Sequence, residues 1–211
     1  MPIDILRILS GKWEDGTRPK DLFAAYVALA PEVYVQQIIN GLGSKEKRIK
    51  AGAAELASLL AELRPDLLYP HVDMFIDSLG SKENLQRWEA VCTLGFLAGD
   101  DSEQKISARI DTIVAFLRSK SIVLQGHALR ALSRIAVAFP SEGRRIFSAM
   151  AAAKDAFPGN KIGFVIEAMA VMAPLPGLSG WIRQFVSPYA HSDVSVVARK
   201  AKKALSVLET N

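Results

Sequence analysis

The chain has 211 residues, half of them hydrophobic, with 26 basic and 22 acidic side chains and a formal net charge of +4. This composition is ample for a continuous core, and the small charge excess permits an anionic partner without requiring one. Cys92 is the single cysteine, which excludes a disulfide framework and a cysteine-rich metal site and suits a reducing cytoplasm.

Residues 1–30 are predicted to form an N-terminal cap. A short helix is expected over Ile3–Leu9, followed by the loop SGKWEDGTRP and a helix around Asp21–Leu29. The early Asp4 and the short apolar run are unlike the hydrophobic segment of a signal peptide. Further along the chain, Gly, Pro or charge interrupts each apolar run well short of the roughly 18 residues that a membrane-spanning helix needs.

The rest of the chain repeats itself. The dipeptide SK marks three turns, and in the segments after them a small residue recurs 38 positions apart, at Gly52, Ala90 and Ala128. Large apolar residues follow at +4 and +7, and the same signature returns at looser intervals of 40 and 33, at Ala168 and Ala201. These spacings put the side chains on one helical face, with the small residue where a neighbouring helix approaches closely. Five such helices are predicted.

Five other amphipathic segments alternate with these helices, and each is predicted to be the first helix of a pair. Pro31, Pro65 and Pro140 suit the first turn of three of them, and Ser102 with Glu103 takes that place in the third pair. No segment alternates with period two for long enough to predict a strand. One pair cannot bury both of its apolar faces, whereas a stack of pairs can.

The segment LLYPHVDMFIDSLGSKENLQRWEAVCTLGFLAG resembles a HEAT repeat. The matching features are an early proline, an aspartate towards the end of the first helix, a short turn, and a patterned second helix: Pro70, Asp77, Arg87, Ala90, Leu94, Gly95 and Leu97. The resemblance covers about Pro31–Leu208, most of the chain. Armadillo repeats are the nearest alternative, and the two-helix spacing disfavours their third helix.

The resemblance implies an all-α fold, a right-handed α-α superhelix (HEAT-like solenoid) of about five helix pairs with an N-terminal capping region. A single domain is expected over residues 1–211. Its helix pairs are assigned to residues 31–63, 65–98, 102–138, 140–175 and 178–209.

In solenoids that this chain resembles, the second helices line the concave side, where partners usually sit. Positions −4, −1, +3 and +6 from each small residue are expected to face solvent, and in the fourth pair these include Phe164, Val171 and Pro174. The predicted partner-binding residues are Arg48, Glu55, Gln86, Glu89, Thr93, Phe96, His127, Arg130, Arg134 and Glu167. The three glutamates interrupt the continuous basic stripe that a nucleic-acid groove would present.

Catalytic and metal-binding patterns are absent from the sequence. The three histidines are far apart and belong to no HExxH or Cys/His pattern, and no Walker A, GxGxxG or GxSxG motif occurs. Cys92 is expected to be a small buried hydrophobe. Some DNA glycosylases of alkylated bases are built from HEAT-like repeats and use a carboxylate, but Asp101 or Ser102 is expected to cap the next helix instead. No catalytic residue, metal or cofactor is therefore predicted.

The leading hypothesis is a non-enzymatic, cytoplasmic scaffold that binds a protein or peptide through its concave surface, with no membrane partner. A nucleic-acid-binding or base-repair solenoid is the alternative, and a phycobilin lyase-like role is the third. The basic clusters Lys45–Lys50 and Arg199–Lys203 are expected to be a solvated helix face and a polar cap, with phosphate contact as the alternative. The sequence leaves the partner's identity and the oligomeric state open.

Overall fold

A computed structural model describes residues 2–209, and within that range the chain is helical with no β-strand. It forms two compact units, residues 1–106 and 107–211. No helix among the described residues is long and apolar enough to cross a membrane. Met1, which belongs to the predicted cap, and residues 210–211, which end the predicted domain, lie outside the described range. The limits of the cap and of the helix pairs stay predictions.

The first unit contains seven α-helices among its described residues. They are α1 Ile5–Leu9, α2 Pro19–Leu22, α3 Pro31–Leu42, α4 Lys47–Leu63, α5 Pro65–Leu68, α6 Val72–Ser78 and α7 Asn84–Leu97. A π-helical turn, Phe23–Val27, extends α2, and Pro31 and Pro65 occupy first-turn positions as predicted. The long second helix α4 packs against both α3 and α7.

The second unit contains six α-helices among its described residues. They are α8 Ile110–Ala115, α9 Ile122–Ala138, α10 Gly143–Ala152, α11 Ile162–Val171, α12 Ser179–Val186 and α13 Ser195–Val207. Helix α11 packs between α9 and α13. Phe147 of α10 makes edge-on contacts with Trp181 and Phe185 of α12, at centroid distances of 6.4 Å each, so aromatic rings join these two first helices.

The repeated small residue and its apolar followers lie on a buried face, as the spacing predicts. Ala90, Leu94 and Leu97 are at most 3% exposed, and the equivalent residues of α9 are fully buried. Leu59 and Leu205 depart from the pattern because they are half-buried. The same pattern, a small residue followed by apolar residues at +4 and +7, therefore marks the buried face of the second helices in both units.

The first helix of the second pair is broken where the sequence predicts a continuous segment. Helix α5 ends at Leu68, a 3₁₀ turn spans Tyr69–His71, and α6 begins at Val72. Pro70 explains the break, because proline lacks an amide hydrogen and its ring clashes with the preceding turn. The fourth second helix is also shorter than expected: α11 ends at Val171, ahead of Pro174 and Pro176.

The prediction that Ser102 and Glu103 start a helix is wrong. The chain turns there instead, with Gln104 in the left-handed region at φ 57°, and helical structure resumes only at Ser107. The 4% exposed Asp101 holds the turn: its carboxylate accepts hydrogen bonds from the amides of Lys105 and Ile106, at 2.9 and 2.8 Å, and from the Tyr69 hydroxyl at 2.9 Å. The Asp101 carboxylate therefore stabilises this turn and does not cap a helix that starts at Ser102.

The N-terminal segment is seated on α3 and α4. The Gln37 side chain accepts a hydrogen bond from the amide of Ile5 and donates one to the carbonyl of Ile3. A Cβ atom at Gly52 would lie 2.5 Å from Leu9 Cδ2 and 3.0 Å from Trp13 Cζ2. The Trp13 indole is itself fixed by a 2.8 Å hydrogen bond to the Leu9 carbonyl, so Gly52 has no room for a side chain.

Asp101→Ala should lower the free energy of unfolding by about 2–4 kcal/mol, because it leaves two backbone amides and a hydroxyl without their acceptor. Urea denaturation of the full chain measures the change. The exposed neighbour Asp100 provides the control, and Asp100→Ala should stay within about 0.5 kcal/mol of the parent. Equal effects for the two variants would show that the turn does not depend on Asp101.

Gly52→Ala should destabilise the protein by about 1 kcal/mol, because overpacking against Leu9 and Trp13 exceeds the gain in helix propensity. Gly126 of α9 supplies the matched control, since a Cβ there would meet no atom within 4 Å. Gly126→Ala should stabilise by roughly 0.5–1 kcal/mol through helix propensity alone. Thermal and urea unfolding would show the opposite signs; stabilisation by both changes would mean that α1 does not press on α4.

Candidate partner-binding groove

The predicted partner-binding residues are divided between the two units. Those of the first unit lie on α4 and α7: Arg48, Glu55, Gln86, Glu89, Thr93 and Phe96. Those of the second unit lie on α9 and α11: His127, Arg130, Arg134 and Glu167. The structure brings Arg130, Arg134 and Glu167 together around one groove. The other seven do not line that groove.

Thr93 was expected to face solvent, and that expectation is wrong because the residue is fully buried. Position +3 lies only about 60° around the helix from the small residue, since successive residues are about 100° apart, so a neighbouring helix can cover it. Ala131, at the same position of α9, is also fully buried, whereas Val171, at that position of α11, is 50% exposed. Cys92 is more exposed than predicted, because it is half-buried where the sequence predicts a buried residue.

Glu89 makes an internal contact within the first unit. Its carboxylate accepts a 2.6 Å hydrogen bond from the Ser58 hydroxyl of α4. Burial raises the pKa of Glu89, and the nearby Glu55 raises it further, whereas the Ser58 hydrogen bond lowers it. Burial also raises the pKa of Glu55. Glu89 thus links α7 with α4, and both glutamates are half-buried and only partly available to a partner.

The groove of the second unit runs between α9 and α11 and has a volume of about 540 Å³. Its apolar lining is Ile122, Val123, Leu129, Phe164, Ala168 and Val171. Its remaining lining is Gly126, Arg130, Ser133, Arg134 and Glu167. Gly126 helps to keep the groove open, because the space into which its side chain would project is empty.

Three large apolar side chains of the groove are open to solvent. Val123 is 42% exposed, Phe164 39% and Val171 50%. Their positions on α9 and α11 put them on facing walls of one depression. Phe164 and Val171 lie at positions −4 and +3 from Ala168, which were predicted to face solvent, and their exposure confirms that prediction. Neither residue was assigned to the binding site. Val123 was missed because it lies outside the four counted positions.

The cationic side of the groove lies on α9. Arg130 is exposed and Arg134 is half-buried, one turn further along the same helix. His127 lies one turn before Arg130 on the same helix. Burial lowers the pKa of its imidazole, and the positive charges of Arg130 and Arg134 lower it further, to about 4. The imidazole is therefore neutral at pH 7, and the local potential is positive.

Lys200 of α13 completes the far rim and was missed by sequence analysis. Its ammonium group pairs with Glu167 at 2.8 Å and lies 4.8 Å from the centre of the Phe164 ring. A Cβ atom at Gly163 would lie 2.8 Å from Lys200 Cδ, so the glycine lets the lysine stem lie against α11. The 33-residue separation of Glu167 and Lys200 is one repeat length and is the signal that identifies the pair.

The two basic clusters have different surroundings. Lys200, in the cluster Arg199–Lys203, is engaged by Glu167. In the cluster Lys45–Lys50, Lys47 and Arg48 line a second, shallower pocket of about 480 Å³ together with Lys12 and Trp13. Arg48 also donates a hydrogen bond to the Gly11 carbonyl, so part of this cluster holds the N-terminal segment in place.

The described residues contain no candidate metal site. Within residues 2–209, no group of three or more His, Cys, Asp and Glu side chains is arranged to hold a metal ion. The Asp101 carboxylate, considered as a glycosylase-like group, is buried in its turn.

Comparison with known proteins defines the fold. No family model and no curated protein matches the sequence at a significant level. Solved structures do match. A designed armadillo repeat protein in complex with the peptide (KR)4 is 15% identical, with a TM-score of 0.64, over 97% of this chain and 90% of that one. The fold is a HEAT/armadillo-like helical repeat.

Two engineered proteins solved by a structural genomics consortium have the same helical-repeat likeness. One is 14% identical, with a TM-score of 0.67, and the match covers 99% of this chain and all of that one. The other is 18% identical, with a TM-score of 0.64, over 98% of this chain and 88% of that one. At these identities the likeness concerns the fold, and function must be argued from the groove.

Stability should fall on acidification through the titration of His127. The folded pKa of about 4 lies below the usual 6.5, so the unfolded chain binds more protons between these values. Stability is therefore fully present above pH 6.5 and is lost as the pH falls towards 4. Because the ring is partly solvated, we expect a loss of about 1–2 kcal/mol.

The variant His127→Gln isolates this contribution from other groups, including Glu55 and Glu89, whose raised pKa values act in the opposite direction. Urea unfolding at several pH values should show the parent losing stability relative to the variant between pH 7 and 4. A constant difference across that range would contradict the assigned titration.

Proposed function

We propose that this helical repeat protein is a non-enzymatic scaffold that binds a protein or peptide partner through the exposed faces of its second helices. The observation that carries the proposal is the groove between α9 and α11, where exposed apolar side chains adjoin two arginines. Aromatic residues and arginine are enriched among the side chains that dominate binding energy at protein interfaces. A reducing compartment such as the cytoplasm suits the single cysteine, Cys92.

The likeness to a designed armadillo repeat protein that holds a peptide supports this class of function. Repeat folds present extended surfaces because each repeat contacts mainly its neighbours. In this chain, such a surface includes Arg130, Arg134 and Glu167 of the second unit. Gln86 and Phe96 of the first unit stay candidate contacts on the same argument from helix position.

A nucleic acid is the second candidate partner, and the shallower pocket of the first unit favours it. Lys12, Lys47 and Arg48 surround the half-buried Trp13, and no acidic residue lines this pocket. Basic side chains beside an aromatic ring suit a single-stranded nucleic acid, whose bases stack while its phosphates are neutralised. The apolar groove of the second unit supports the protein-binding candidate more strongly, because apolar walls do not bind phosphate groups.

The proposed function predicts a partner that depends on α9. Tagged protein should capture a partner from nuclease-treated host lysate, and the change Arg130→Glu with Arg134→Glu should abolish the capture. A charge-matched control, Lys202→Glu with Lys203→Glu, alters two exposed residues of α13 and should leave capture intact. The single variant Arg130→Glu, at an exposed position, serves if the double variant is poorly folded by circular dichroism.

Loss of capture in the α9 variants alone would support the proposal. Capture that is removed by nuclease, and by Lys47→Glu with Arg48→Glu, would favour the nucleic-acid candidate instead. Equal capture by the parent, the α9 variants and the control would contradict a partner site on α9.

A further inference from the structure

We propose that the α9/α11 groove binds a short peptide segment in which large apolar side chains stand next to acidic ones. This inference rests on the proposed function and specifies the chemistry of the partner. It is argued from three properties of the groove: its apolar walls, the positive charge of Arg130, and the gap at Gly126.

The apolar walls call for apolar side chains from the partner. Val123, Phe164 and Val171 expose about two-fifths to one-half of their surface around one depression. Removing such surface from water contributes roughly 25 cal/mol per Å², so these residues favour an occupant over solvent. The volume of about 540 Å³ lies in the range of about 300–1,000 Å³ that is usual for ligand sites. It has room for a few side chains of a partner.

The charges of the groove call for carboxylates from the partner. Glu167 is the one acidic residue of the lining, and Lys200 already neutralises it at 2.8 Å. Arg130 is exposed and forms no ion pair with a carboxylate of residues 2–209. Arg134 adds a second positive charge one turn away. A guanidinium group binds a carboxylate through two parallel hydrogen bonds, so an acidic side chain is its natural complement.

The apolar and the charged residues of the groove are arranged along one face of each helix. On α9, Val123, Gly126 and Arg130 are three and four residues apart, so they form a single stripe that runs from apolar to cationic. On α11, Phe164 and Val171 flank Glu167 at the same spacings. An occupant therefore meets apolar surface at its centre and positive charge towards the C-terminal half of α9.

This chemistry separates the groove from that of the designed neighbour, whose peptide is the basic (KR)4. A basic peptide would bring its charges against Arg130 and Arg134, and like charges brought together oppose binding. The (KR)4 peptide is consequently a useful negative probe for this chain.

The inference can be tested with four fluorescein-labelled synthetic peptides and fluorescence anisotropy on the full chain. Three probes have 12 residues: leucine and phenylalanine alternating with aspartate and glutamate, the same apolar residues with lysine and arginine, and the same acidic residues with serine and glycine. The fourth is (KR)4. We expect the apolar-acidic peptide to bind at least tenfold more tightly than each of the others.

Two variants locate the binding. Gly126→Leu fills the gap while improving helix propensity, so it should weaken the apolar-acidic peptide at least tenfold without destabilising the fold. Arg130→Glu should weaken the same peptide at least tenfold and strengthen the apolar-basic one. Lys202→Glu has the same charge change on an exposed site of α13 and should leave both affinities within about twofold, as a remote rim charge does.

The inference is overturned if the apolar-acidic peptide binds no better than the apolar-basic one, or if Gly126→Leu and Arg130→Glu leave its affinity unchanged. Sedimentation of the free protein gives a further test: a dimer that Gly126→Leu dissociates would make a second copy the occupant and overturn the peptide assignment. If lysate capture still depends on α9 while these probes fail, the proposed function stands and only the partner chemistry is wrong. Phe164→Ser replaces Gly126→Leu should the latter fail to fold.

Discussion

Close packing between second helices is the constraint on which each unit depends. Helix α4 lies against α7 in the first unit, and α11 lies between α9 and α13 in the second. The distance between packed helices depends on the side chains at the contact, so a small residue must recur at the crossing point. Ala90 and Ala128 are buried small residues of this kind, whereas Gly52 of α4 makes room for Leu9 and Trp13 of the N-terminal segment.

Polar contacts follow the same repeat and add little stability of their own. Ion pairs join residues 32–34 positions apart: Glu32 with Arg64, Asp73 with Lys105, Asp111 with Arg145, and Glu167 with Lys200. The carboxylate of each pair is more than half exposed, and solvent-exposed pairs contribute about 0–1 kcal/mol. Their significance is geometric, because they identify which positions of successive helix pairs lie side by side. The buried Asp101 is different, since its three acceptor contacts hold a turn that no apolar packing would define.

The sequence predicts the helices because their rule is local and repeated, and it fails where a single residue decides. Pro70 breaks a first helix that its apolar spacing would continue, and Asp101 replaces an expected helix start with a turn. Thr93 is buried because a position 60° or so from the packed stripe is covered by the neighbouring helix, whose distance the sequence does not give.

The groove was only partly predictable for a related reason. Arg134 and Glu167 follow from helical phase, as does the exposure of Phe164 and Val171, whereas Arg130 was included as a neighbour of the counted positions. The gap at Gly126 is the absence of a side chain, which no pattern of apolar residues reveals. Lys200 reaches the rim from the next second helix, and its approach depends on Gly163. A search for opposite charges one repeat apart would have found this lysine, since Glu167 precedes it by 33 residues.

Helix α9 carries three features that folding stability alone does not favour. Gly126 stands in its interior, where glycine costs roughly 1 kcal/mol relative to alanine. Arg130 and Arg134 repeat the same charge at a spacing of four, which is unfavourable on a helix. His127 is held neutral beside them by burial and by their charge. Sequences tend to be consistent with their fold except at functional sites, where a local cost is accepted. All three departures lie within nine residues of one helix, and Gly126 and both arginines line the groove. This convergence on one helix supports the binding role proposed for α9.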